Sequence, residues 1–274
     1  MFVGRDDELA QLNQLYDSNK AELFVLFGRR RVGKTELLRH FVTNKPYLFF
    51  VATLSSEHEQ LGNLSHQIWR FTHPDSSESI TYPSWESAFR ALADLPGRPV
   101  IVLDEFTYLI SGNKAIPSIL QKVWDEILKD SQVFLILCGS YVGMMETEVL
   151  SSRSPLYGRR TGSRLLNPLQ LPAVTDFFPS YTVPEQIEMA AVVGGMPYYL
   201  QIFSGTVNIF ANIRMHILDT QGTLFEEPRL LMMEELRQPR NYFSILSAIA
   251  SGRTGLNEIS QMAGVGSAST TASY

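Results

Sequence analysis

The sequence predicts an α/β fold: a parallel sheet flanked by helices, followed by a smaller helical region. Short apolar runs alternate with amphipathic stretches through the first 170 residues, the pattern of strands joined by crossover helices. The runs are rich in Val, Ile, Leu and Phe without alternating polar residues, as expected of strands buried on both faces. After Pro168 these runs stop and helical patterns follow one another.

In order, the predicted strands are residues 23–27, 47–52, 100–103, 133–137 and 165–169. Between them, residues 35–42, 58–71, 85–95 and 119–128 place apolar side chains three and four apart, on one helical face. Beyond Pro168, helices are expected over 173–178, 184–193, 198–203 and 207–218, with a break at 237–241 (RQPRN). The expected domains are therefore a core over 1–170, a helical lid over 171–237 and a third module from 238 to 274.

Composition narrows the function. The chain has 274 residues, 45% of them hydrophobic and 19% charged, which excludes a disordered, collagen-like or coiled-coil protein. Its 23 basic and 28 acidic residues give a net charge of -5, so it is no globally basic nucleic-acid binder. Cys138 is the single cysteine, and the five histidines are scattered, so neither a disulfide nor a Cys- or His-rich metal site is expected. No signal peptide and no uninterrupted apolar run of membrane length is evident, and a soluble, cytoplasmic protein is expected.

The strongest chemical signal follows the first strand. Residues Gly28-Arg29-Arg30-Arg31-Val32-Gly33-Lys34-Thr35 match G-x-x-x-x-G-K-[ST]. Average residue frequencies put a chance match at on the order of 1% for a chain of this length. The glycines let the backbone curl so that successive N–H groups face phosphate oxygens, and the helix that starts near Gly33 adds its positive end. Lys34 would reach the β- and γ-phosphates and the Thr35 hydroxyl a Mg²⁺ ion, with Arg31, Val32 and Glu36 completing the nucleotide contacts. The arginines Arg29, Arg30 and Arg31 read either as phosphate or partner contacts or as solvated loop residues.

The third run ends in Asp104-Glu105. Asp104, at the carboxyl end of a buried strand, is placed to hold Mg²⁺ beside Thr35, and Glu105 to deprotonate the attacking water. Read blandly, Glu105 is a surface carboxylate at a loop start. None of the three Asn-Lys pairs is followed by the Asn-Lys-x-Asp pattern of a guanine reader, so ATP is the expected nucleotide. Ser140, after the fourth run, suits a γ-phosphate sensor or a helix cap.

Together with Phe2-Val-Gly-Arg-Asp-Asp-Glu-Leu9, Leu156-Tyr-Gly-Arg-Arg160 and Gly194-Gly-Met-Pro197, these motifs resemble the archaeal-type ATPases, a STAND branch of the AAA-related P-loop NTPases. The resemblance covers essentially the whole chain. It implies a sheet of order 5-1-4-3-2, a helical lid and a winged helix. It further implies that Arg5 lies near base or phosphates, that Pro197 touches adenine, and that Arg159 or Arg160 acts as an arginine finger within the chain or across subunits. On the residues alone, Arg159-Arg160 reads equally as a basic surface turn.

At the C-terminal end, an amphipathic stretch over 242–250, a short helix over 256–263, a glycine turn at 264–266 and a Ser/Thr/Ala-rich helix start form a helix-turn-helix layout. The last stretch has no arginine or lysine, which weakens a reading as a DNA contact. The sequence stops within this helix, and a longer parent protein is expected. The leading expectation is an ATP-dependent, slowly hydrolysing switch, engaging a protein partner or itself and cycling between ATP and ADP. An ATP-gated DNA-binding regulator is the alternative, and a small-molecule kinase is disfavoured because no acceptor-binding segment is evident.

Overall fold

The structure is a computed structural model and describes residues 2–76, 80–236 and 238–274. Met1, where the expected core begins, and Arg237, which opens the expected interdomain break, lie outside the described residues. The chain divides into two compact units, with the boundary between Gln201 and Ile202.

The first unit is built on five parallel strands: β1 (Glu22–Phe27), β2 (Tyr47–Val51), β3 (Val100–Asp104), β4 (Phe134–Gly139) and β5 (Gly162–Leu165). Their order is β2-β3-β4-β1-β5, which is the implied 5-1-4-3-2 read from the other edge. Alternation along each strand sorts its side chains into two cores. Leu23, Val25 and Phe27 of β1 join Ile101, Leu103, Leu135 and Leu137 on one face. Phe24 and Leu26 join Val100, Val102, Phe134 and Ile136 on the other. Both faces are covered, which is why the central runs carry no polar residues.

Helices α1 (Asp6–Asp17) and α2 (Lys34–Val42) close the second face, supplying Leu12, Leu37, Leu38 and Phe41. Helices α3 (Glu57–Thr72), α4 (Trp85–Ala91), α5 (Phe106–Gly112) and α6 (Ile116–Glu126) close the first. Starts follow capping chemistry: Ser56 accepts from the Glu59 N–H, and Ser84 forms a reciprocal box with Ser87. Then come α7 (Val142–Met144), which continues as a π-helical turn, α8 (Leu171–Thr175), α9 (Val183–Val193), opened by a Thr182–Glu185 box, and α10 (Pro197–Ile202). Helices α1, α5 and α7 are additional to those the periodicity predicts.

One expectation needs correction. The fifth strand is residues 162–165, not the apolar run at 165–169. β5 is an edge strand with alternating exposure, so its buried-run signature is absent and the run marks the loop beyond it. Leu166 still donates its N–H to the Phe27 carbonyl (2.7 Å), after which Pro168 offers no donor to the ladder. Residues 171–201 lie within the first unit. The Leu169 N–H donates to the Gly195 carbonyl (2.7 Å), and Val174, Phe178, Met189 and Leu200 are buried.

The second unit contains, among the described residues, only helices: α11 (Ile209–Ile213), α12 (Glu227–Glu235), α13 (Pro239–Ala250), α14 (Leu256–Ala263) and α15 (Ala268–Thr271). The helix expected over 207–218 starts two residues later, because the Asn208 side chain caps the Ala211 N–H (2.8 Å), and turns π-helical from Arg214. α14 ends at Gly264 in the left-handed region (φ 64°), Val265 is buried, and Ser267 caps α15. Helix, short helix, glycine turn and short helix thus follow in the expected order. No strand accompanies them among the described residues of this unit. No helix among the described residues is long and apolar enough to cross a membrane.

Candidate nucleotide site

The carboxyl ends of β3, β4 and β1, three neighbours in the sheet, converge on one cleft, where open α/β sheets bind their ligands. From β1 the chain passes into the loop 28–33. A Cβ on Gly28 would sit 2.6 Å from the Leu166 carbonyl oxygen, so the backbone passes too closely for any side chain. Gly33 precedes α2 with φ 93°, a conformation that favours glycine. Arg31 is held at φ 67° without that freedom.

Lys34 is 5% exposed, and its Nζ donates to the loop's own carbonyls, Gly28 O at 2.8 Å and Arg29 O at 3.0 Å. Burial pulls its pKa below the usual lysine range, against the opposing pull of Glu105 and Asp104. Thr35 Oγ1 donates to Asp104 Oδ2 at 2.7 Å, and the other Asp104 oxygen accepts the Glu105 N–H at 2.9 Å. Glu105 itself stands at φ 51°, ψ 41°, ahead of α5. Its carboxylate is gripped from β4: Ser140 Oγ donates at 2.6 Å and the Ser140 N–H at 3.4 Å. A backbone placed in this sparsely populated region is a mark of sites where geometry is over-determined.

The cleft encloses about 350 Å³, within the range of small-molecule sites. Of the residues singled out in the sequence, Arg5, Arg31, Val32, Gly33, Lys34, Thr35, Glu36, Glu105, Ser140 and Pro197 line it. Arg5 is 6% exposed and braces the loop, donating to the Val32 carbonyl at 2.9 Å. Glu8 lies 3.6 Å from Arg5 and also pairs with Arg164 at 3.3 Å. Burial lowers the Arg5 pKa, with Glu8 opposing. Phe2, Val3, Leu169 and Phe177 give the cleft apolar walls, and Tyr198 and Gln201 join Pro197 from α10. Phe177, Tyr198 and Gln201 escape sequence reasoning, since they reach the site only because the chain returns along Leu169–Gly195. Phe2 and Val3 lie in the N-terminal motif, from which the sequence singles out only Arg5.

Arg159 and Arg160 are elsewhere. They precede β5, and the Thr161 N–H donates to the carbonyl of Leu23, at the opposite end of β1 from the phosphate loop. Five residues of strand separate Leu23 from Gly28, roughly 16 Å. Arg159 forks onto Asp125 (2.9 and 3.2 Å), and Arg160 donates to the Leu150 carbonyl at 2.8 Å. Neither reaches its own chain's cleft.

No group of three or more His, Cys, Asp or Glu side chains among the described residues is arranged to hold a metal. A Mg²⁺ ion bound with a nucleotide needs only one or two protein oxygens, the rest coming from phosphates and water. The adjacent Thr35 hydroxyl and Asp104 carboxylate are hard oxygen donors and fit that requirement. Cys138, beside Asp104 across the sheet, is fully buried, and burial pushes its pKa well up, so it stays a thiol.

Residues 2–203 match the family of ATPase domains found predominantly in Archaea. An uncharacterised protein of Methanocaldococcus jannaschii is 34% identical over 264 residues, which cover 96% of this chain and 57% of that protein. The chain thus spans little more than half of that relative. A protein of the same organism described as ATP-binding is 53% identical over 45 residues, 16% of this chain and 76% of its own length. Among solved structures, a Walker-type ATPase of Pyrococcus abyssi superposes with a TM-score of 0.65, covering 94% of this chain and 83% of its own, at 22% identity. At that identity the likeness concerns the fold.

Proposed function

The chain belongs to the family of ATPase domains found predominantly in Archaea, and from that premise we propose that it binds ATP in the cleft and hydrolyses it slowly as a molecular switch. The observation that carries this reading is the unbroken chain Thr35–Asp104–Glu105–Ser140, linked by hydrogen bonds of 2.6 to 2.9 Å beside an anion cradle.

The loop amides and the N-terminus of α2 receive the phosphates, and Lys34 exchanges its bonds to Gly28 and Arg29 for bonds to phosphate oxygens. Anionic phosphate partners offset the burial that disfavours the charged form of Lys34. Thr35 and Asp104 would hold Mg²⁺, whose charge would offset that of the phosphates. Glu105 accepts a proton as the water oxygen bonds to the γ-phosphorus. The bond to the bridging oxygen breaks, and ADP leaves with that electron pair. Ser140 orients the Glu105 carboxylate through the 2.6 Å bond.

The reading extends to the rest of the chain. Helices α8 to α12 act as the lid, Pro197 packs on the base, and α10, which ends at Ile202 where the second unit begins, relays nucleotide state to α13–α15. The output is a protein partner or a second copy. DNA is not favoured, because residues 254–274 contain no lysine or arginine.

The test is ATP turnover and ATP binding by wild type and Glu105→Gln. Binding retained with turnover reduced by about 10²–10⁴ is the expected result for a lost general base. Undiminished turnover in the variant would sink the assignment of Glu105.

A further inference from the structure

Hydrolysis as described uses the backbone of Arg31 but not its side chain. That guanidinium stacks on an aromatic pair at the cleft, with Cζ 4.5 Å from the centre of the Tyr198 ring and 6.0 Å from that of Tyr199. The two rings meet edge to face, 5.9 Å apart at 69°. Arg31 and Tyr198 both line the cleft. The contact joins the phosphate loop to the start of α10, and Pro197 reinforces it, its Cγ standing 3.6 Å from where a Cβ on Gly33 would lie.

From this arrangement we infer that Tyr198 sets the nucleotide affinity of the site by competing with phosphate for Arg31. The inference rests on the cleft being a nucleotide site. An aromatic face attracts a guanidinium through its quadrupole, and the attraction is modest where water reaches the ring. Tyr198 is 41% exposed. A phosphate offers the same guanidinium two charge-assisted hydrogen bonds in matched geometry, a stronger partner. Phosphates in the cradle therefore draw Arg31 away from Tyr198, and part of their binding free energy is consumed in breaking the stack. Because Tyr198 is the second residue of α10, that exchange also loosens the hold of the loop on the helix. Tyr198 is thus an affinity-setting residue, acting through Arg31 and not on the nucleotide itself.

The sign of the effect makes the idea testable, since a residue that merely lines a binding site weakens binding when removed. ATP is titrated by calorimetry into the full chain in EDTA, so that neither metal nor turnover enters the readout. Tyr198→Leu is expected to bind ATP about two- to fivefold more tightly than wild type, the worth of an exposed cation–π contact. Tyr198→Phe keeps the ring and is expected to match wild type. In an Arg31→Gln background, Tyr198→Leu is expected to change nothing, which isolates the pair. Should Tyr198→Leu melt early, Tyr198→Met carries the same expectation. Equal or weaker ATP binding by a normally melting Tyr198 variant overturns the inference, as does a gain that persists without Arg31. Failure of the wild-type chain to bind ATP at all overturns the nucleotide-site reading, and this inference with it.

Discussion

The two ends of β1 each carry consecutive arginines, and the fold uses them in opposite ways. At the carboxyl end, Arg30 donates to the Tyr108 hydroxyl at 2.5 Å and Arg31 lies on Tyr198, and both line the cleft. At the amino end, Arg159 is held by the Asp125 carboxylate and Arg160 by a main-chain carbonyl. What separates the arginines at the cleft from the pair before β5 is the end of the strand they occupy.

The difference is broken most directly by removing the charge at the centre of the cradle. Lys34→Ala is expected to lower ATP affinity by about tenfold to a hundredfold, the worth of a charged hydrogen bond or two. Calorimetry checks it, and unchanged affinity would remove the cradle from nucleotide binding. Arg5→Ala should act next most strongly, and on stability. It strips the Val32 carbonyl and Glu8 of a buried partner, at a cost of about 1–3 kcal/mol in urea unfolding. If stability is unchanged, Arg5 does not brace the loop.

How much of this was legible in sequence depended on whether the relevant groups are neighbours along the chain. The phosphate loop, Asp104-Glu105 and Ser140 could be placed because each sits at the end of a strand whose apolar run is unmistakable, and parallel strands bring such ends together. Glu105 also hides a helix: α5 follows it directly, but the left-handed turn at Glu105 breaks the periodicity that would reveal it. The fifth strand shows the opposite case. Residues 162–165 alternate in exposure at the sheet edge, so the eye settles on the apolar run three residues on. That shift hides which end of β1 Arg159 and Arg160 face. The apolar walls were the least legible, because Phe177 and Tyr198 meet the loop through contacts far apart in the chain.

The smallest effect is expected at the amino end. Arg159→Ala removes a half-exposed ion pair with Asp125, and solvent-exposed pairs of this kind contribute little. A slight fall in melting temperature and no change in ATP affinity should follow. Turnover makes the comparison sharper. Within one chain Arg159 is roughly 16 Å of strand away from the phosphate loop, so at low protein concentration the variant should turn over ATP as wild type does. A finger supplied across subunits would show itself differently: wild-type turnover per chain would climb with protein concentration, and Arg159→Ala would abolish the climb. Equal, concentration-independent rates would leave Arg159 a structural residue. A loss of turnover already at high dilution would mean that the Asp125 fork opens and the two ends of β1 are not as separate as their hydrogen bonds make them.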